Sequence, residues 1–147
     1  MTTKLEFSTY ETVDSIVSTL PLINQQYPDI DAAKLRLSVA EMIDVNNYKM
    51  LAVLDNGRVI AVCGYWILRM IYCGRYLQLS NLIVDQAYRN KGVASQIIDY
   101  FTELAKKARC DKIVLDSNIL NKKSHSLFFN NDFYVRGFHF MKDLNND

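Results

Sequence analysis

Glycine and proline are both scarce here, five and two residues in a chain of 147. Collagen-like repeats, flexible linkers and low-complexity segments are thereby excluded. Both prolines, Pro21 and Pro28, fall early, so no proline ring interrupts a helix or strand beyond residue 28. The three cysteines, Cys63, Cys73 and Cys110, form no CxxC pair, and the two histidines, His125 and His139, lie far from two of the thiols. Neither a disulfide framework nor a metal site is expected, and a reducing cytoplasmic location is. The longest stretch free of charge or strong polarity, residues 59–68, has ten residues between Arg58 and Arg69, whereas a bilayer takes about 20. The first residues offer no apolar leader, so no membrane association is expected. Charge of one sign is missing too: 17 Lys and Arg against 16 Asp and Glu leave +1, which argues against a nucleic-acid partner held by bulk charge.

What is present suits one globular domain over residues 1–147. Half the residues are apolar and 22% are charged, enough to bury a core. Charge is unevenly spread: residues 1–57 hold four basic and eight acidic groups, residues 58–147 thirteen and eight. That split fits a cationic substrate held against an anionic cofactor.

Periodicity gives the elements. Residues 4–7 read as a first strand. Ser8-x-x-Glu11 reads as a capping box before a helix carrying Val13, Ile16, Val17 and Leu20. Residues 21–28 then link to a second helix, capped by Asp29 or Asp31 and striped by Leu35, Val39, Met42 and Ile43. Residues 48–54 and 59–72 read as strands about the hairpin signal Asn56-Gly57, and residues 76–84 return after Cys73-Gly74. Residues 91–109 repeat apolar positions at Val93, Ile97, Phe101, Leu104 and Ala108, an amphipathic helix with Lys106, Lys107 and Arg109 in its last turn. A short buried parallel strand (113–115), a short helix (124–131) and a last strand (133–142) complete an α/β chain with a sheet of mixed direction.

Chemistry concentrates where the third strand of this meander enters the long helix. Arg89-x-x-Gly92-x-Ala94 places small residues at a helix N-terminus, where amides of Asn90 to Ser95 and the dipole favour an anion. Arg89 and Lys91 add positive charge, so the loop reads as a diphosphate cradle. It lacks GxxxxGK[ST] and GxGxxG, which excludes a P-loop and a dinucleotide Rossmann turn.

Leu82-Ile83-Val84, Arg89-Asn90-Lys91-Gly92-Val93-Ala94 and Asn121-x-x-Ser124-x-x-x-Phe128-x-x-x-Asp132-Phe133 resemble the GNAT superfamily of acetyl-CoA-dependent N-acetyltransferases. The run from Ser117-Asn118 through Ser124-His125 to Phe138-x-Phe140-x-Lys142 is similar to the aminoalkylphosphonate-acetyltransferase-like branch. The resemblance implies the GNAT fold, a mixed, mostly antiparallel sheet with helices on both faces. It implies acetyl-CoA as co-substrate, a strand that splays at a bulge so that Leu82, Ile83 and Val84 meet the pantetheine arm, and a diphosphate held by Arg89, Asn90, Lys91, Gly92, Val93, Ala94 and Ser95. Asn118, Asn121, Ser124 and Phe128 would line the cofactor's other side. The family's usual tyrosine acid falls at Phe128, which has no proton to give; solvent, the incoming ammonium or a hydroxyl such as Tyr134 would replace it. Asp132 stands where the family has glycine.

A base must still deprotonate the amine. Glu41 on the second helix is one candidate, against a plain solvated helix glutamate. Ser80 and Asn81, which could hold a water, are the other. His125 reads as a packing or capping group, His139 as an exposed strand residue, and Cys110 as a small core residue. The expected activity is acetyl transfer from acetyl-CoA to a primary amine of a small molecule in a ternary complex. Its alternatives are a non-catalytic acyl-CoA-binding regulatory domain and a protein or peptide N-acetyltransferase. An acceptor on aminoacyl-tRNA would want a basic patch that the acidic opening section lacks. The expected last strand ends five residues before the sequence does, so a homodimer that completes the sheet or pocket is also expected.

Overall fold

The computed structural model describes residues 4–145. Packing divides them into two compact units that meet in sequence between Leu115 and Asp116. The first unit opens with strand β1 (Glu6–Tyr10) and three helices, α1 (Val13–Val17), α2 (Leu20–Gln26) and α3 (Ala32–Asn46). A meander follows, β2 (Lys49–Asp55), β3 (Arg58–Met70) and β4 (Gly74–Val84). A single 3-10 turn, Gln86–Tyr88, then leads into α4 (Val93–Lys107) and β5 (Lys112–Leu115).

Four sequence expectations shift. The first strand lies at 6–10 and not 4–7, so Ser8 pairs with Ala52 and cannot cap a helix. The capping box forms one turn later, where the Ser15 amide donates to Thr12 Oγ1 (3.1 Å) and the Thr12 amide to Ser15 Oγ (3.2 Å). Pro21 is no linker. It sits in the first turn of α2, where a missing N–H costs nothing because that amide has no helical partner. Arg109 lies past the end of α4 in the left-handed region (φ 58°), where the chain closes the helix with a Cys110 amide bond to the Ala105 carbonyl. Asp31 does cap α3, accepting from the Lys34 amide at 2.8 Å. Asn56 and Gly57 take positive φ (50° and 79°), as a tight hairpin turn between right-twisted strands requires.

The five strands lie in the order β1-β2-β3-β4-β5, antiparallel except for the parallel β4–β5 pair. Helices cover both faces. Val93, Ile97 and Phe101 of α4 pack with Leu51, Val53, Cys63, Leu77 and Leu79 on one face. On the other, Ile16, Leu22, Ile23, Leu35 and Val39 of α1–α3 pack with Tyr48, Met50, Val62 and Ile83. Fully burying an Ile or Phe contributes about 1.5–3 kcal/mol relative to leaving it in water, so these two layers hold the sheet between them. The expected strand at 113–115 exists, but its residues are half-buried.

Two bulges shape β3 and β4. Ile60 is an extra residue of β3 opposite the Val53–Leu54 step, and its carbonyl accepts the Asp85 amide at 2.8 Å. Between Ser80 and Ile83, β4 advances three residues while β3 advances two. Asn81 takes φ 61° there. The extra residue reverses the alternation of side chains. Leu77 and Leu79 face α4 before it, and Leu82 and Val84 face α4 after it.

The second unit holds one helix, α5 (Lys122–Asn130), and no strand among its described residues. The expected strand at 133–142 is absent. Its alternating side chains find no ladder partner among the described residues, and Phe138 and Phe140 are 84% and 91% exposed. No helix among the described residues is long and apolar enough to cross a membrane. None of their His, Cys, Asp and Glu residues group to hold a metal.

Candidate active site

The β4–β5 ladder ends at the Leu79–Leu115 pair. Beyond it, no strand among the described residues pairs with residues 80–84 on the β5 side, so an unpaired edge of β4 begins at the bulge and carries Leu82, Ile83 and Val84. Leu82 and Val84 anchor this edge to the α4 core, and Ile83, 3% exposed, anchors it to the α1–α3 core. A chain that runs along this edge would meet backbone groups held rigidly from both faces.

The next segment is tied down by Asp85, which is buried. Its Oδ1 accepts from the Ala87 amide (3.0 Å) and its Oδ2 from Arg58 (3.1 Å). Tyr88 donates from its hydroxyl to Asp55 Oδ2 at 2.6 Å. That bond holds the Tyr88 proton and raises its pKa. These ties fix the start of the 89–95 loop. Arg89 turns back over the end of β4, donating from Nε to the Val84 carbonyl at 3.0 Å. Lys91 Nζ lies 5.6 Å from the centre of the Tyr88 ring. Asn90 and Gly92 both take left-handed φ, 62° and 80°.

Gly92 is the N-cap of α4 and therefore brings no side-chain acceptor to the first-turn amides of Val93, Ala94 and Ser95. A Cβ placed on Gly92 would meet nothing within 4 Å, so the backbone here is open on the side a side chain would take. The residues fit an anionic group such as the diphosphate of coenzyme A: uncapped amides, a helix dipole, and two cations from Arg89 and Lys91.

On the opposite face, the bulge gathers polar side chains. Ser80 donates to Asn81 Oδ1 at 2.9 Å, and Asn81 Nδ2 donates to the Tyr27 hydroxyl at 3.3 Å. Tyr48 stands over Gly64, the β3 partner of Ser80, where a Cβ would collide with its ring and hydroxyl. Burial raises the Tyr48 pKa and holds its proton. Burial also pushes the neighbouring Cys63 thiol up to about 12, so it is no thiolate nucleophile near neutral pH.

Glu41 is exposed on α3, two positions beyond the buried Val39 and so on the side of the helix turned from the core. The hydrogen bonds of Ser80 and Asn81 run to each other and to Tyr27, not to Glu41. In the second unit, Asn118 Oδ1 accepts from the Leu120 amide (2.9 Å), and Asn121 caps α5 by accepting from the Ser124 amide (3.3 Å). His125 Nε2 meets the Asn118 carbonyl at 2.9 Å. Phe128 packs edge-on against Phe133 with ring centres 5.8 Å apart. His139 lies 3.7 Å from Asp116, an ion pair when the ring is protonated. The Asp55–Tyr88–Asp85–Arg58 ties and the place of Tyr27 were not foreseen. Asp85 before a turn is an Asx-turn signal that could have found the first, but nothing local marks Tyr27.

The acetyltransferase (GNAT) family model matches residues 16–133. The chain belongs to the GNAT family. Its fold is the GNAT fold, and it is an acyltransferase. The uncharacterized N-acetyltransferase YhdJ of Bacillus subtilis (strain 168) is 22% identical over 108 residues, 74% of this chain and 76% of that one. The aminoglycoside N-acetyltransferase AAC(6')-Iy, solved in complex with CoA, superposes with a TM-score of 0.81 at 14% identity, over 99% of this chain and 98% of that one. Glucosamine-6-phosphate N-acetyltransferase from Arabidopsis thaliana gives 0.73 at 15% identity, over 97% and 99%. At such identities these structures speak for the GNAT fold alone.

Proposed function

We propose that this GNAT enzyme transfers acetyl from acetyl-CoA to the primary amine of a small molecule, directly, in a ternary complex. The observation that carries this reading is the uncapped N-terminus of α4 at Gly92, opening beside the bulged, one-sided end of β4. The diphosphate belongs to the amides of residues 89–95 with Arg89 and Lys91, and the pantetheine arm to the open edge of Leu82, Ile83 and Val84. Acetyl-CoA supplies an activated thioester. The chain's part is mainly positioning, with a backbone amide at the bulge polarising the carbonyl.

The incoming nitrogen bonds to the carbonyl carbon, the carbon–sulfur bond breaks, and the proton shed by nitrogen is available to the departing sulfur. Ser80 and Asn81 hold the water that takes this proton, since Glu41 faces outward. Phe128, a hydrocarbon ring, holds no proton for the sulfur. Asn118, Asn121, Ser124 and Phe128 enter this reading through the family resemblance. Relatives in the fold act on aminoglycosides and on glucosamine-6-phosphate by name, which supports a small amine as acceptor.

Titration calorimetry tests the cofactor site. Wild-type protein should bind coenzyme A, and Gly92→Glu, which puts a carboxylate where the phosphates would sit, should lose binding while staying folded. Equal binding by both would sink the assignment. A homodimer remains part of the reading, because Phe138, Phe140, Met141 and Leu144 are each more than 80% exposed. A light-scattering mass of one chain at high concentration would remove it.

A further inference from the structure

The Tyr27 side chain has no part in the cofactor site, yet its hydroxyl is hydrogen-bonded to the bulge. Tyr27 ends α2, and its amide donates to the Ile23 carbonyl at 2.9 Å. Its own carbonyl accepts from Asn24 Nδ2 (3.0 Å) and from the Ile30 amide (3.3 Å). Asn24 Nδ2 also reaches the Ile30 carbonyl at 2.8 Å, which closes the loop between α2 and α3. The hydroxyl is set just as deliberately. Asn81 Nδ2 donates to it at 3.3 Å and Gln26 Nε2 at 3.4 Å. Ser80 donates to Asn81 Oδ1 at 2.9 Å, so the Asn81 amide bridges Ser80 and the tyrosine.

A phenol oxygen has two acceptor sites and one proton. With two amide N–H groups on the oxygen, its acceptor sites are taken and its proton is left to donate to a further partner. The residue is 37% exposed, so a ligand can reach it. The cofactor cradle is formed by α4, on the opposite face of the sheet from α1–α3. An amine therefore approaches the bulge from the α2 side, where this hydroxyl stands.

The hydrogen-bonded group there is neutral throughout: Gln26, Tyr27, Ser80 and Asn81, with Gln25 Oε1 accepting from the Gln86 amide at 3.2 Å. Of the carboxylates on the adjoining loop, Asp31 is spent on the cap of α3, and Asp29 is exposed, where pairing with a cation gains little through water. Neutral amides and hydroxyls recognise oxygen and nitrogen by hydrogen bonds, and they give a second or third positive charge nothing to pair with.

We propose that the Tyr27 hydroxyl is the specificity-determining donor of the acceptor site, giving its proton to an oxygen close to the reacting amine. The preferred acceptor is then a compact monoamine bearing a hydroxyl, ether or carbonyl oxygen, not a polyamine. This rests on the acetyltransferase reading above. The test compares kcat/KM for oxygen-bearing monoamines with that for alkylamines of equal length and with polyamines, in wild type and Tyr27→Phe. The variant keeps the ring, and its melting temperature and coenzyme A affinity should match wild type.

Wild type should favour the oxygen-bearing amines by about three- to tenfold, the worth of one partly exposed hydrogen bond. Tyr27→Phe should erase that preference, which a merely structural role would not do. Because Asn81 also loses its hydroxyl acceptor, a slowing common to every amine is expected beside it, and the ratio between amines is the readout. A wild type without the preference overturns the inference, as does a variant that keeps it. Turnover of no amine at all overturns the acetyltransferase reading and this inference together, so the two failures are distinguishable.

Discussion

Gly64→Ala probes the bulge from beneath. An ideal Cβ at Gly64 would collide with Oη, Cζ and Cε2 of Tyr48. Tyr48 has little room to yield, being 2% exposed and packed against Trp66 with ring centres 6.2 Å apart. Forcing a methyl into a filled core costs about 1–3 kcal/mol. Because the clash involves ring carbons as well as oxygen, the upper end is expected, about 3 kcal/mol. For a chain of this size that lowers the melting temperature by about 6–12 °C. Tyr48→Phe in the Gly64→Ala background should rescue little, since Cζ and Cε2 remain in the way. Tyr48→Ala should remove the collision, so the double variant should be less destabilised than the two single losses added together, by about 1 kcal/mol or more. Urea unfolding of wild type, the two single variants and the two double variants measures this. A Gly64→Ala variant as stable as wild type would refute the packing described here.

Further outcomes follow from the same geometry. Gly92→Ala meets open space but must hold φ 80°, so it should cost only about 1 kcal/mol of stability. A much larger loss in thermal unfolding would show that the cradle is filled by the chain itself. Asp85→Ala removes a buried carboxylate that holds the Ala87 amide and Arg58. It should cost about 1–3 kcal/mol and expose the 89–95 loop to proteolysis; unchanged cleavage would argue against that anchor. Burial lifts the Cys63 thiol from 9.0 to about 12 and raises Tyr48 as well. The folded state thus keeps protons that the unfolded chain releases. Stability is full below about pH 9 and falls as pH rises toward the folded values. Cys63→Ala should shrink that alkaline loss, and a denaturation midpoint independent of pH there would contradict it.

Much of this fold was legible because the deciding signals were local. Asn56-Gly57 needs positive φ at both residues, so the β2–β3 turn could be placed from two letters. The α4 stripe from Val93 to Phe101 and the loop at Gly92 were readable for the same reason. The boundaries that moved depended on partners far away in sequence. Ser8 lost its cap because Ala52 draws it into a strand. The 133–142 pattern alternates like a strand, yet a strand exists only in a ladder, and that segment has no ladder among the described residues. The bulge at Asn81 shows as a break in side-chain alternation between Leu79 and Leu82, a pattern that the resemblance brought out. Tyr27 was illegible: its role depends on Asn81, 54 positions away, and no spacing rule links them.

The most direct measurement is release of free thiol from acetyl-CoA in the presence of primary amines, with Gly92→Glu as control. Release should depend on a small amine, with the acetylated amine formed in equal amount, and both should be lost in the control. Thiol release unaffected by Gly92→Glu, or tight acetyl-CoA binding with no amine acetylated, would contradict it.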